Sequence, residues 1–341
     1  MLVRLKAISL ASAVALVALS AASAQSVEEF YTGKTVEVRI GFSVGGGYDT
    51  YARLLATHMG KHIPGNPTLV PMNEPGAGSL KLANWLYEAA PQDGTVFGIV
   101  ARAAPFDPMF GNEAAKFDAL KFNYIGSANN EVSVCVARAD TGIEKFDDLK
   151  EKELIVGGTG PTADTVQFPK IMNAVFGTKI KIIDGYPGGN DVNLAMERGE
   201  VTGRCGWSWS SVVATRQDWL DSKYMNVLMQ LSTSKHPDIP DSVPLIMDLA
   251  QSDEDAQLLR VVFARQALGR PFIAPPNIPE DRAKALRDAF METMSDPEFL
   301  AAAKQAELEI TPVSGEDVAQ LVAEAYKASP EIVKRISEIV Q

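Results

Sequence analysis

The chain has 341 residues, 46% hydrophobic and 22% charged, a globular composition that excludes collagen-like, low-complexity and disordered classes. Its length suits two domains and a large buried core. With 32 basic and 43 acidic residues the net charge is −11, and no Lys/Arg-rich run occurs, so nucleic acid is not an expected partner.

Residues 1–24 read as a secretory signal peptide. Arg4 and Lys6 give a positive start, residues 7–20 are apolar or small, and Ala22-Ser23-Ala24 is an A-x-A site with cleavage after Ala24. The apolar stretch is short for a bilayer span, and no later stretch reaches that length. No Cys stands at the cleavage site, so no lipid anchor is expected. A soluble exported protein that serves its own cell is expected in the periplasm.

Beyond the leader, Val36, Val38, Ile40 and Phe42 alternate with Glu37, Arg39 and Gly41, which predicts a strand with one apolar face. Gly45-Gly46-Gly47 follows, and Asp49 opens a helix to about residue 62. A strand over 68–72, a turn over 73–78 and a helix over 79–89 come next. A turn over 91–94 leads into an apolar strand over 96–101. A strand over 131–138 has Val132, Val134 and Val136 on one face. The alternation then restarts with strand 154–157, helix 162–176, strand 180–183, helix 191–198 and strands over 201–207 and 227–231. Strands alternating with helices argue for α/β domains with mostly parallel sheets, and the restart argues for two of them. Pro271, Pro275, Pro276 and Pro279 mark a boundary. Helices over 280–294, 297–306, 315–328 and 330–340 follow and are expected to pack back on the first sheet. The expected organisation is 25–128 plus 267–341 as domain I and 129–266 as domain II, joined by two crossing segments.

Four strand-to-helix junctions are rich in glycine: Gly45-Gly46-Gly47-Tyr48-Asp49, Gly76-Ala77-Gly78-Ser79, Gly157-Gly158-Thr159-Gly160-Pro161-Thr162 and Gly185-Tyr186-Pro187-Gly188-Gly189-Asn190. Each places free backbone N–H groups at a helix N-terminus, a ready anion site. In parallel sheets such junctions share one edge, so two loops from each domain should face one cleft. Asp49 and Asn190 or Asp191 read as helix caps. No loop is followed by the Lys of a P-loop, and the first is not G-x-G-x-x-G, so a carboxylate suits them better than a nucleotide. Arg102, just past strand 96–101, is placed to pair with a carboxylate. Trp207 and Trp209, flanking Ser208, are placed to wall a ligand or to pack in the core.

The sequence has no signature of a zinc protease or of a serine nucleophile, while a catalytic carboxylate pair stays open. His58 and His62 have zinc spacing, but Met59 follows His58 where H-E-x-x-H needs Glu. Gly206-Trp207-Ser208-Trp209-Ser210 lacks the second Gly of a nucleophile elbow. Cys135 and Cys205 are the only cysteines and cannot alone make a zinc or iron–sulfur site. Export permits a disulfide between them, with two buried thiols as the alternative.

Phe42-x-x-Gly45-Gly46-x-x-Asp49 with Ala52-Arg53 resembles a family signature: the first loop of the substrate-binding proteins of tripartite tricarboxylate transporters, the Bug-type periplasmic receptors. Val44 stands where Pro is usual. Asn73-x-Pro75-Gly76-Ala77-Gly78 is similar to the second signature, with Ser79 in place of a common Gly. Pro91-x-Asp93-Gly94-Thr95, Tyr186-x-Gly188-Gly189 and the region from Pro275, including Asp296-Pro297-Glu298-Phe299, extend the resemblance over nearly all of the mature chain. In the Tyr186 loop Pro187 replaces a commonly basic residue.

The resemblance implies a type II periplasmic binding protein, two α/β domains that close on a ligand like a Venus flytrap. It implies a small organic carboxylate ligand and delivery to the membrane permease subunits of a transporter. It also places Cys135 and Cys205 on neighbouring strands, which favours a disulfide. The resulting expectation is a monomeric, non-enzymatic receptor with no cofactor and no metal. Backbone N–H groups of Gly46, Gly47 and Gly78 would hold a carboxylate, with Tyr48, Ser79 and Arg102 beside them. Thr159, Thr162 and Gly189 would meet it from the second domain, and Trp207 would shape the pocket. The alternatives are a sensing subunit for a membrane signalling kinase and an exported enzyme acting on a small carboxylate.

Overall fold

A computed structural model of the chain describes residues 25–341; the expected leader lies outside the described residues. Eleven strands form two sheets among these residues. They are β1 (Thr35–Ile40), β2 (Thr68–Asn73), β3 (Val96–Ile99), β4 (Asn123–Ser127), β5 (Ser133–Arg138), β6 (Leu154–Gly157), β7 (Ile180–Ile183), β8 (Gly203–Ser208), β9 (Met225–Leu231), β10 (Pro271–Ala274) and β11 (Val313–Ser314). The first sheet has the order β11-β4-β10-β3-β1-β2 and the second β7-β6-β8-β5-β9.

Both sheets are mixed. β1 pairs in parallel with β2 and β3, and β6 with β7 and β8. β10 runs antiparallel to both β3 and β4, and β5 antiparallel to both β8 and β9. Four of six strands in the first sheet and four of five in the second share one direction, as expected for mostly parallel sheets; β10, β11 and β5 run against them. β5 and β10 are the strands by which the chain enters each sheet from the other lobe. The Pro-marked boundary also contains β10, in the interior of the first sheet. Pro271 is its first residue, a position where a missing N–H is tolerated.

Each sheet carries helices, giving an α/β molecule of two lobes. Gly47–His58 follows β1 and Leu80–Glu88 follows β2, while Asp164–Phe176 and Gly189–Arg198 follow β6 and β7. Val36, Val38 and Ile40 are fully buried, as their alternation requires. Helices Glu280–Ser295 and Gly315–Ala325 pack against β4, as expected for the C-terminal region. The last helix, Pro330–Val340, does not. It lies against Asp164–Phe176 and Asp253–Phe263 of the second lobe, burying Ile332, Ile336 and Val340. Its Arg335 meets Asp255 at 2.7 Å, and Lys170 donates to its Val340 carbonyl at 2.7 Å. The amphipathic stripe is satisfied there because the first sheet is already covered. One apolar cluster joins Leu86 and Val96 to Phe168 and Phe263 through Phe106 and Phe110.

The chain therefore passes between lobes at 128–132 and 264–270, and again at 326–329. Cys135 of β5 and Cys205 of β8 form a disulfide within the core of the second lobe. No helix among the described residues is long and apolar enough to cross a membrane.

Candidate functional site

Two helices point their N-termini at each other across the gap between lobes. Gly47–His58 begins after Gly46, and Gly189–Arg198 after Gly188, neither with a side-chain cap. Asp49 and Asp191 are not the caps the sequence suggests. Asp49 accepts from the Gly45 N–H at 2.9 Å and faces Arg53 and Asn73, while Asp191 accepts from Ser43 Oγ at 2.5 Å in the other lobe. The N–H groups of Gly46, Gly47, Gly189 and Asn190 have no acceptor among the described residues. A Cβ on Gly46 would lie 3.7 Å from the Gly189 nitrogen. Two positive helix ends in such proximity repel one another unless an anion lies between them.

An arginine adds to that field. Arg204 of β8 is buried, and its Nη1 donates to the Gly189 carbonyl at 3.0 Å and to Asn193 Oδ1 at 2.9 Å. Its Nε has no acceptor, and no carboxylate pairs with it among the described residues. Burial, and then the nearby Arg216 and Arg270, push its pKa down to about 9. The guanidinium stacks over Trp207 at 4.5 Å. Gly189 has no side chain where Arg204 needs the space: a Cβ there would sit 2.3 Å from Nη2. Gly47 is similarly constrained by Ser211 Oγ at 1.9 Å.

Two further arginines bind the lobes together. Arg102 donates to Gln266 Oε1 and to Ser208 Oγ, and its Nε lies 3.2 Å from Asp164. Arg270 pairs with the fully buried Glu131 side chain at 3.3 Å and donates to Ser208, Ser210 and Ser211. Between them the lobes enclose a cavity of about 50 Å³. Phe42 and Tyr48, stacked at 4.5 Å, form one wall, and Trp207 another.

Gly46, Gly47, Tyr48, Arg102, Thr159, Gly189 and Trp207 all line this cavity. Gly78, Ser79 and Thr162 do not, which corrects the roles expected for them. The Gly78 N–H is used in a 3.0 Å bond to the Thr159 carbonyl of the opposite lobe. Thr162 Oγ1 donates back to the Ala77 carbonyl at 2.9 Å. Ser79 is fully buried and accepts from the Ala101 N–H at 2.7 Å. These three hold the lobes and loops together beside the cavity rather than facing it. Arg204, Asp164, Thr165, Ser208 and Ser211 line it without having been singled out in sequence.

No family model matches the chain. It is similar to the structure of the periplasmic binding protein BugD, at 17% identity over 91% of this chain and 99% of that one, with a TM-score of 0.71. Its fold is that of the Bug-type periplasmic binding proteins. MatC from Rhodopseudomonas palustris, solved with malate, matches at 17% identity over 90% and 99% of the two chains, TM-score 0.67. Another R. palustris protein, solved with adipate, matches at 16% identity over 90% and 98%, TM-score 0.68. In sequence the chain is 23% identical over 342 residues to the "UPF0065 protein in gbd 5'region" of Cupriavidus necator, across 96% of this chain and 95% of that protein.

A second cluster on this Bug-type fold is structural. His58, Asp296 and Glu298 bring ligand-type atoms within 4.8 Å, but Lys61 Nζ already lies 2.6 Å from both carboxylates. Hydrogen bonds from Lys61 and then His62 hold the Asp296 carboxyl well below the usual range, and Asp296 caps helix Pro297–Gln305.

Proposed function

We propose that this protein is a periplasmic solute receptor that captures a small carboxylate between its lobes and presents it to a membrane transporter. The observation that carries this is Arg204, a buried cation without a counter-ion between two opposed, uncapped helix N-termini. A buried unpaired charge is costly, and a bound carboxylate would remove that cost. The likeness in fold to malate- and adipate-bound proteins supports the ligand class. In this reading Gly46, Gly47 and Gly189 supply N–H donors, Arg204 the charge, and Arg102, Tyr48, Thr159 and Trp207 the walls. Residues 1–24 direct export and are removed. The first lobe takes residues 25–128 and the chain after 267, the second 129–266 with the last helix laid against it. Closure follows ligand binding, so that the transporter meets a form that reports occupancy.

Thermal unfolding of the mature protein, stripped by unfolding and refolding, tests this against a carboxylate panel. Ligand at 100 times its dissociation constant should stabilise by about 2.7 kcal/mol, a shift of a few degrees. A flat response across the panel from well-folded protein overturns the reading, as does chemical conversion of the bound acid.

A further inference from the structure

Resting on the receptor reading above, we propose that the cleft selects a monocarboxylate, with one anionic head and an uncharged body, over dicarboxylates. Two arginines line the cavity, Arg102 and Arg204. Arg102 already has a partner at each of its three nitrogens. Its Nη1 donates to Gln266, its Nη2 to Ser208, and its Nε faces Asp164 with Tyr48 Oη beyond at 3.4 Å. Arg270, behind the wall, has Glu131 and three serine hydroxyls. Arg270 thus has Glu131 as its carboxylate, while Arg102 shares Asp164 with Arg265. Of the two lining arginines, Arg204 is the one with a nitrogen that has no acceptor and with no carboxylate partner, and the two helix ends lie close to it.

The rest of the lining offers a second carboxylate neutral groups such as the Ser208 and Ser211 hydroxyls and no further cation. Its one acidic member is Asp164, which lies between Arg102 at 3.2 Å and Arg265 at 3.5 Å and has no donor to give an anion. Thr159 and Thr165 are bonded to each other, with Oγ1 atoms 3.0 Å apart and the Thr159 N–H donating to Thr165 Oγ1. Phe42, Tyr48, Trp207, Ala101 and Ala163 present rings and methyl groups. A neutral ligand body is matched to these surfaces, and a second charge would be buried without a partner. Asp164 is the specificity-determining residue in this account, because it occupies Arg102, the second cation of the lining, and so withholds it from a second carboxylate.

The test compares each diacid with its half-amide, which keeps the shape and removes one charge. Titration calorimetry on the mature protein would use succinate against succinamate and adipate against adipamate, beside aliphatic and aromatic monocarboxylates. The expected result is that the ligands which bind carry one charge, with any diacid at least tenfold weaker than its half-amide. Arg204→Gln should weaken every binder at least tenfold. Asp164→Asn should narrow the gap between diacid and half-amide; if that variant does not fold, the wild-type comparison decides alone. A diacid that binds as tightly as its half-amide, or tighter, overturns the monocarboxylate assignment and leaves the receptor reading standing. Binding of no carboxylate at all overturns both.

Discussion

Arg204 shows at the scale of one residue how a site is built against stability. Its charge is buried beside Arg216 and Arg270 with only two neutral acceptors, the Gly189 carbonyl and the Asn193 side chain. Replacing such a cation by a neutral residue of similar volume removes a desolvation cost. Arg204→Met should therefore leave the ligand-free protein at least as resistant to heat as wild type, while abolishing the carboxylate-induced shift in Tm. A large loss of Tm without ligand would mean that the two hydrogen bonds and the Trp207 contact outweigh the charge. Gly46, Gly47 and Gly189 are legible in the sequence because glycine runs at strand-to-helix junctions leave N–H groups free. Arg204 is not. It lies inside a strand whose six residues are all buried, so no alternation marks which side meets the cleft. Gly78 is misplaced for the opposite reason: its loop has the right glycine pattern, but its N–H reaches a carbonyl that belongs to the other lobe.

At the scale of elements, runs with strong apolar periodicity are readable and short or proline-rich ones are not. β1 and β5 follow their alternating valines and isoleucines, and β3 its short apolar run. β10, four residues with Pro at its head and Pro-Pro after it, carries the sequence marks of a linker. It becomes a strand because β3 and β4 leave a slot between them. The loop after β9 holds a pH-sensitive contact. His236 Nε2 lies 3.4 Å from Glu309, which precedes β11 of the other lobe, and this hydrogen bond raises the histidine pKa. Asp238 and Glu131 add to the rise, while partial burial opposes it. A histidine whose folded pKa is raised adds stability that is complete below its unfolded value near 6.5 and is lost as pH climbs through the folded value. Wild type should thus exceed His236→Gln in stability most at about pH 5.5, with the gap shrinking in alkaline buffer. Chemical denaturation of both proteins across that range checks it; a gap that is flat in pH removes the contact from the account.

For the whole molecule, two α/β lobes around a cleft can be argued from the restart of the strand–helix alternation and from four similar loops. The antiparallel partners and the final helix cannot, since both depend on which lobe the returning chain meets. The disulfide belongs to this scale as well, because it closes a loop with a sequence separation of 70 residues within the second lobe. In a chain-entropy account a link of that span stabilises by about 4 kcal/mol. The double variant Cys135→Ser with Cys205→Ser should unfold several degrees lower, and wild type under reductant should approach it. An unchanged Tm in the double variant would show that packing in the β5–β8 core makes up the loss.

The course of the last helix has a mechanical consequence. A body that turns on two neighbouring cords is free to swing until its surfaces collide. Here a third cord, residues 326–329, ends in a helix docked on the other half. Four residues pulled straight reach about 14 Å at most. The gape of the cleft along that edge is therefore set by chain length rather than by collision. The full swing ends where the backbone goes taut, unless the helix is pulled off its seat.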